Sequence, residues 1–249
     1  MKEIALLEFE TEKGFIEPSD LIQKIEMPKK VVLTFFKDVI TQLLEEKQIE
    51  IIYTLRSESG EFHLYKYIDN QACIFCLGVG SPLAGGHLEE IIALGGEEFV
   101  ACGGAGVLIH QEVGSIIVVE SGVRDEGTSF HYAKPSRTIE MDQDTIANVC
   151  ATLDQMRVPY IVGKTWTTDG FYRETKSKIK KRVQEGCICV EMEFTALLAI
   201  AKFRNVTFSQ ILYSGDSLSG EIWDGRKWHS RTELRYEVIN IAKNIVLNY

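Results

Sequence analysis

Short apolar runs that stop at glycine or serine constrain this chain most. Cys73–Val79, Phe99–Cys102, Gly114–Glu120, Tyr160–Thr165, Ile188–Val190 and Val206–Tyr213 are nearly continuous in apolar and β-branched residues. Runs of this length without alternation are strands covered on both faces, because an open sheet face would need a polar residue at every second position. Ile49–Leu55 adds a β-branched strand and Glu61–Ile68 an alternating one. Between them the spacing predicts helices at about 19–25, 30–47, 81–94, 142–156, 176–184, 191–203 and 231–247. The second rests on Val31, Phe35, Val39, Leu43 and Leu44, and the first on Ser19 or Asp20 as N-cap. Apolar strands alternating with amphipathic helices define an α/β fold around a largely buried sheet.

The chain has 249 residues and no visible repeat, low-complexity tract or linker, so residues 1–249 are expected to form one domain. Its 27 Lys+Arg against 36 Asp+Glu give a net charge of −9. That balance argues against a general nucleic-acid binder but leaves room for a local anion pocket. No apolar stretch reaches the roughly 18–20 residues of a membrane span, and acidic residues interrupt the N-terminal apolar stretch, unlike a secretory signal. The expected location is the cytoplasm. The six cysteines, Cys73, Cys76, Cys102, Cys150, Cys187 and Cys189, fall mostly in strand-like runs and read as reduced small hydrophobes. Cys73 and Cys76 would face opposite ways on a strand, and no second ligand pair follows, so no metal site is expected.

Four strand ends carry groups that can do chemistry, and in open α/β sheets ligands bind there. Gly78-Val79-Gly80-Ser81-Pro82 precedes a helix; its N–H groups can hold an anion or simply form a tight, capped turn. Cys102-Gly103-Gly104-Ala105-Gly106 permits close approach to the backbone or positive φ. Val190-Glu191-Met192-Glu193-Phe194 sets two carboxylates around a methionine at a helix start. Capping accounts for one acid, and a carboxylate that accepts two hydroxyl hydrogen bonds is a natural reader of a sugar diol. Asp216, in Tyr213-Ser214-Gly215-Asp216-Ser217, ends a late strand, as a turn residue or a general acid.

In this order the four segments resemble the nucleoside phosphorylase family, which includes purine nucleoside phosphorylases, uridine phosphorylases and related nucleosidases. The stretch Ser121–His131 is similar to that family's Arg-Asp-Gly segment, and Thr168-Asp169-Gly170-Phe171-Tyr172 to its Ser-Asp-x-Phe-Tyr segment. The resemblance runs over residues 50–216. It implies a mixed central sheet, partly barrel-like and flanked by helices, and cleavage of an N-glycosidic bond with phosphate as co-substrate and no other cofactor. By position, Glu191, Met192 and Glu193 would bind the sugar, and Phe171 and Thr168 the base. Arg56, Gly80, Ser81 and Gly104 would hold phosphate, and Asp216 would protonate a departing purine. It further implies a homodimer, or a hexamer built as a trimer of dimers, with Arg56 reaching phosphate in a neighbouring subunit.

The chain departs from the family in its phosphate residues. It has no Gly-Asp-Pro-x-Arg motif; Ala101 stands where a second phosphate arginine is common, and Gly104 lacks the usual hydroxyl. Arg56 and Arg124 remain, and Gly80, Ser81, Gly85, Gly86 and His87 could rebuild a phosphate site at the helix start. Thr175 and Ser177 replace the uracil-reading Gln and Arg, which with Asp216 tilts the expectation towards purine. A water-using nucleosidase is the alternative, with Glu8 or Glu10 as the acid that activates water, and a uridine phosphorylase or a non-catalytic nucleoside sensor are others. His63, His110 and His131 read as structural. The basic run Lys176–Arg182 reads as a solvated face or mobile lid, and the loop Gly220–Ser230, with Trp223 and Trp228, as a packed loop or a pocket cover.

Overall fold

The computed structural model describes residues 4–249. The strands are β1 (Lys30–Thr34), β2 (Ile49–Ser57), β3 (Gly60–Tyr67), β4 (Cys73–Cys76), β5 (Glu98–Val107), β6 (Ile116–Asp125), β7 (Thr138–Glu140), β8 (Tyr160–Thr168), β9 (Cys187–Glu191) and β10 (Thr207–Ser217). The helices are α1 (Pro18–Leu21), α2 (Lys37–Glu45), α3 (Ser81–Leu94), α4 (Gln143–Met156), α5 (Lys176–Gln184), α6 (Phe194–Arg204) and α7 (Thr232–Leu247).

Five strands close on themselves. β5 pairs with β10 in parallel, β10 with β6 antiparallel, β6 with β8 and β8 with β9 in parallel, and β9 with β5 antiparallel. From β5 the sheet continues through β1 and β4, both parallel, to β3 and β2, both antiparallel, while β7 flanks β6. This is the mixed, partly barrel-like sheet expected. Helix α7 packs on β5 and β1, and α6 packs on α3 and β10. Helix α6 is buried along almost its whole length, Phe194 to Ala201, which a one-sided helix could not be.

One expectation fails. Lys30–Thr34 is not the first turn of a long helix but a central strand between β4 and β5, and the helix begins only at Lys37. Val31, Val32 and Leu33 are all fully buried. Adjacent β-branched residues with no exposed face suit a two-sided strand, although Val31, Phe35 and Val39 also keep helical spacing. Two smaller corrections accompany it. Helix α1 is capped by Glu17, not Ser19 or Asp20. The glycines 103, 104 and 106 lie inside a ten-residue strand instead of closing a short one. All six cysteines are free thiols, buried or half-buried, as their strand positions imply.

Candidate active site

The Val190–Phe194 segment leaves β9 and enters α6, and its two acids divide their work. Glu191 Oε1 accepts the hydroxyls of Thr167 (2.6 Å) and Thr165 (3.3 Å), and Oε2 accepts the N–H groups of Glu193 (2.8 Å) and Phe194 (2.7 Å). Four donors fill a carboxylate's acceptor sites. Burial still pushes this carboxyl above its ordinary range, against the lowering pull of Thr167 and the two N–H groups. Glu191 therefore serves as the cap of α6, the role that helix N-termini favour for acids, and has no acceptor left for sugar hydroxyls.

Glu193 is different. It is only 5% exposed, its Oε1 accepts the Gly80 N–H at 2.6 Å, the Met192 backbone N–H also favours its charged form, and no side chain among the described residues donates to it. Burial first, then the charge of Glu191, pushes its carboxyl up to about 8. Beside it, the Ser81 hydroxyl donates to the Met192 carbonyl at 2.6 Å. Gly80 adopts φ +97°, a conformation that suits glycine and turns its N–H towards Glu193. The turn between β4 and α3 is thus strapped to the turn between β9 and α6. Gly80 N–H and Ser81 Oγ, expected at a phosphate site, are occupied by this strap.

A cavity of about 180 Å³ opens against the strap. Phe35, Val79, Gly103, Gly104, Leu212 and Gln210 line it with Glu191, Met192 and Glu193. Gly103 and Gly104 are needed for close approach: a Cβ would lie 3.2 Å from the Phe35 ring on the first and 3.0 Å from the Tyr213 ring on the second. Among the described residues no lysine or arginine lines this cavity. Arg124 is buried and engaged elsewhere, donating to Ser129 Oγ, Ser136 Oγ and the carbonyls of Lys134 and Ala133, with its guanidinium 4.0 Å over the Phe130 ring. Arg56 lies on β2, away from the closed barrel, where its exposed side chain pairs with Glu61 at 2.9 Å.

Asp216 ends β10 near Gly106 and Val190. Its Oδ2 accepts the Trp223 indole N–H at 2.7 Å, and Ser217 and Asp224 pair their backbones, so the Trp223 loop does cover this strand end. Glu174, which the sequence reading missed, lies within reach of the Asp216 charge. Burial first, then the charge of Asp216, pushes its carboxyl up to about 7, with Lys178 opposing. Its only sequence signal is an acid between Phe171-Tyr172 and the capping Thr175, whose hydroxyl accepts the Lys178 N–H. Phe171 is 49% exposed and stacked near Tyr172, at 4.0 Å between ring centroids, so it offers an aromatic face to solvent. Thr168 is buried and its hydroxyl accepts the Gly170 N–H, which makes it a turn residue.

The remaining expectations divide. The basic helix α5 is anchored and not merely solvated: Arg182 and Lys178 both reach Asp125 at 3.3 Å and lie over Trp166. His63 bonds Thr54 and is structural, as expected. His87, expected to help rebuild a phosphate site at the helix start, instead accepts the Gly78 N–H on its Nδ1, and burial lowers its pKa to about 4, keeping the ring neutral. Glu10 lines a separate, larger cleft of about 440 Å³ with Glu89, Glu90 and Arg204, and neither it nor Glu8 lines the Glu193 cavity.

Known proteins share this architecture. A family model described as Phosphorylase superfamily matches residues 29–246. A guanosine phosphorylase of Halorubrum lacusprofundi is 27% identical over 55% of this chain and 57% of its own length, and a uridine phosphorylase of Thermococcus kodakarensis is 29% identical over 44% and 40%. The chain thus spans about half the length of the curated relatives it matches. The fold is similar to that of a uridine phosphorylase from Vibrio fischeri ES114, at TM-score 0.73 and 20% identity over 92% of this chain and 97% of that one. No helix among the described residues is long and apolar enough to cross a membrane.

Proposed function

Because the chain belongs to the phosphorylase superfamily, we propose that it cleaves the N-glycosidic bond of a purine nucleoside, passing the pentosyl group to phosphate and releasing the free base. The observation that carries this reading is Glu193: a buried carboxyl on a cavity wall, held by backbone N–H groups and with no side-chain donor among the described residues. Such a group binds hydroxyls strongly, because a hydrogen bond in a site of low dielectric is stronger than one in water. Met192 packs against the sugar and Phe171 offers its ring to the base. As the C–N bond breaks, its electron pair goes to the base, and a proton delivered by Asp216 makes the base a neutral leaving group. Glu174, poised near 7 within reach of the Asp216 charge, supplies or replaces that proton at neutral pH. General acid catalysis of this kind contributes roughly 10²–10⁴-fold.

The test is an assay with and without phosphate on inosine, adenosine, guanosine and uridine. The expected products are a free purine and pentose 1-phosphate. No cleavage of any nucleoside with phosphate present refutes the reading. Hydrolysis is the second reading, favoured by the absence of a lysine or arginine from the described cavity lining and by the engagement of Gly80, Ser81 and Arg124 elsewhere. Base release that is equally fast without phosphate selects it. In the phosphate reading, the positive charge comes from Arg56 of a second copy of this chain in a homodimer or larger assembly.

A further inference from the structure

Gln210 sits on β10 opposite Ala101 of β5, and Leu212, two residues on, sits opposite Gly103. Both therefore face the same side of the sheet, and both line the Glu193 cavity. Gln210 is 1% exposed, yet neither its amide nitrogen nor its amide oxygen has a hydrogen-bond partner. It lies close enough to Glu191 to ease that carboxylate's charge, without closing a bond of good geometry. A buried carboxamide unpartnered at both ends is rare, because each orphaned group has given up its water for nothing. Here Gln210 belongs to the lining of a cavity that also holds the Glu193 carboxyl.

That cavity suits part of a ligand with several hydroxyls. Each hydroxyl both donates and accepts. Glu191 is saturated, so Glu193 alone cannot satisfy two adjacent hydroxyls in both senses. The Gln210 carboxamide supplies the missing donor and acceptor. We propose that Gln210 is a specificity-determining residue of this site: together with Glu193 it reads a pair of adjacent pentose hydroxyls, and so selects ribose over 2-deoxyribose. The inference rests on the reading of the Glu193 cavity as the sugar compartment. A deoxy sugar would leave one of the two buried groups orphaned, the situation in which polar sites discriminate best.

The test compares kcat/KM for adenosine and guanosine with their 2′-deoxy forms, in the wild type and in Gln210→Met, which keeps the side-chain length without hydrogen bonding. The wild type should prefer the ribonucleosides, and the variant should lose about tenfold of that preference through a lower ribonucleoside value, the size of one hydrogen bond. An unchanged ratio overturns the proposal. So does a variant whose only defect is a raised KM for phosphate, since Gln210 would then serve the acceptor. A second arm needs neither turnover nor the variant: thermal shifts of the wild type with D-ribose and 2-deoxy-D-ribose. A larger shift with ribose supports the proposal even if no nucleoside is cleaved, in which case only the proposed reaction fails. Equal shifts, or none from either sugar, overturn it.

Discussion

At the level of single residues, Glu193 and the Asp216–Glu174 pair make the most specific demands. Glu193→Gln keeps the shape and removes the titrating carboxyl; the expected outcome is a fall in kcat/KM of about tenfold, the size of one lost hydrogen bond. The same variant changes the response to pH. The Glu193 carboxyl rises from 4.5 to about 8 on folding, so between those values the folded chain holds a proton that the unfolded chain has released. This contribution to stability is fully present below pH 4.5 and is lost as pH rises through about 8. Melting temperature should therefore fall less steeply over that window in Glu193→Gln than in the wild type, and parallel curves would contradict the assignment. Asp216→Asn should slow purine release by roughly 10²–10⁴-fold. Glu174→Gln should slow it less and shift the alkaline limb of the kcat/KM profile, which a pH series on guanosine would show.

At the level of elements, the strap between the two turns holds the site in shape. Gly80→Ala places a Cβ in a positive-φ extended conformation almost restricted to glycine, at a cost of about 1–3 kcal/mol, and it disturbs the N–H aimed at Glu193. Urea unfolding should register that loss, and activity should fall with it. The sequence shows why such a strap escapes notice. Gly80 and Glu193 are 113 positions apart, and Ser81 and Met192 are 111. Nothing local marks an N–H or hydroxyl as already engaged, so both residues looked available to phosphate. Strand ends were readable because glycine, serine and acids interrupt apolar runs there. Lys30–Thr34 was not, because a fully buried strand of five residues carries no alternation, and the residues after it continue a helical spacing by coincidence. Glu191 and Glu193 were both legible as important, but only the Thr165 and Thr167 hydroxyls on β8 separate the cap from the reader.

For the whole molecule, the distribution of charge is the open chemical question. The chain carries a net charge of −9, and of its two candidate cations Arg124 is tied down within the fold and Arg56 lies away from the barrel. Arg56 stands on an outer hairpin, with its exposed side chain paired to Glu61. A surface pair of this kind adds little, so Arg56→Ala should leave stability within about 0.5 kcal/mol by thermal melting. If copies of the chain assemble around that hairpin and use phosphate, the same variant should raise the KM for phosphate several-fold. An unchanged KM would place the phosphate charge elsewhere or favour water as acceptor. The closed barrel and the open sheet share β5, so the site and the hairpin belong to one continuous hydrogen-bonded sheet.

The bond from Gly80 to Glu193 has a spectroscopic consequence. The amide proton of Gly80 points at the carboxyl that would receive the sugar, so its nuclear resonance frequency is set by the charge on that carboxyl. Titration of the acid, or arrival of a hydroxyl on its other oxygen, redistributes that charge and moves a single glycine peak in a ¹⁵N-labelled sample. The fold has placed a reporter of occupancy on its own backbone, readable without substrate turnover and without any added label at the site.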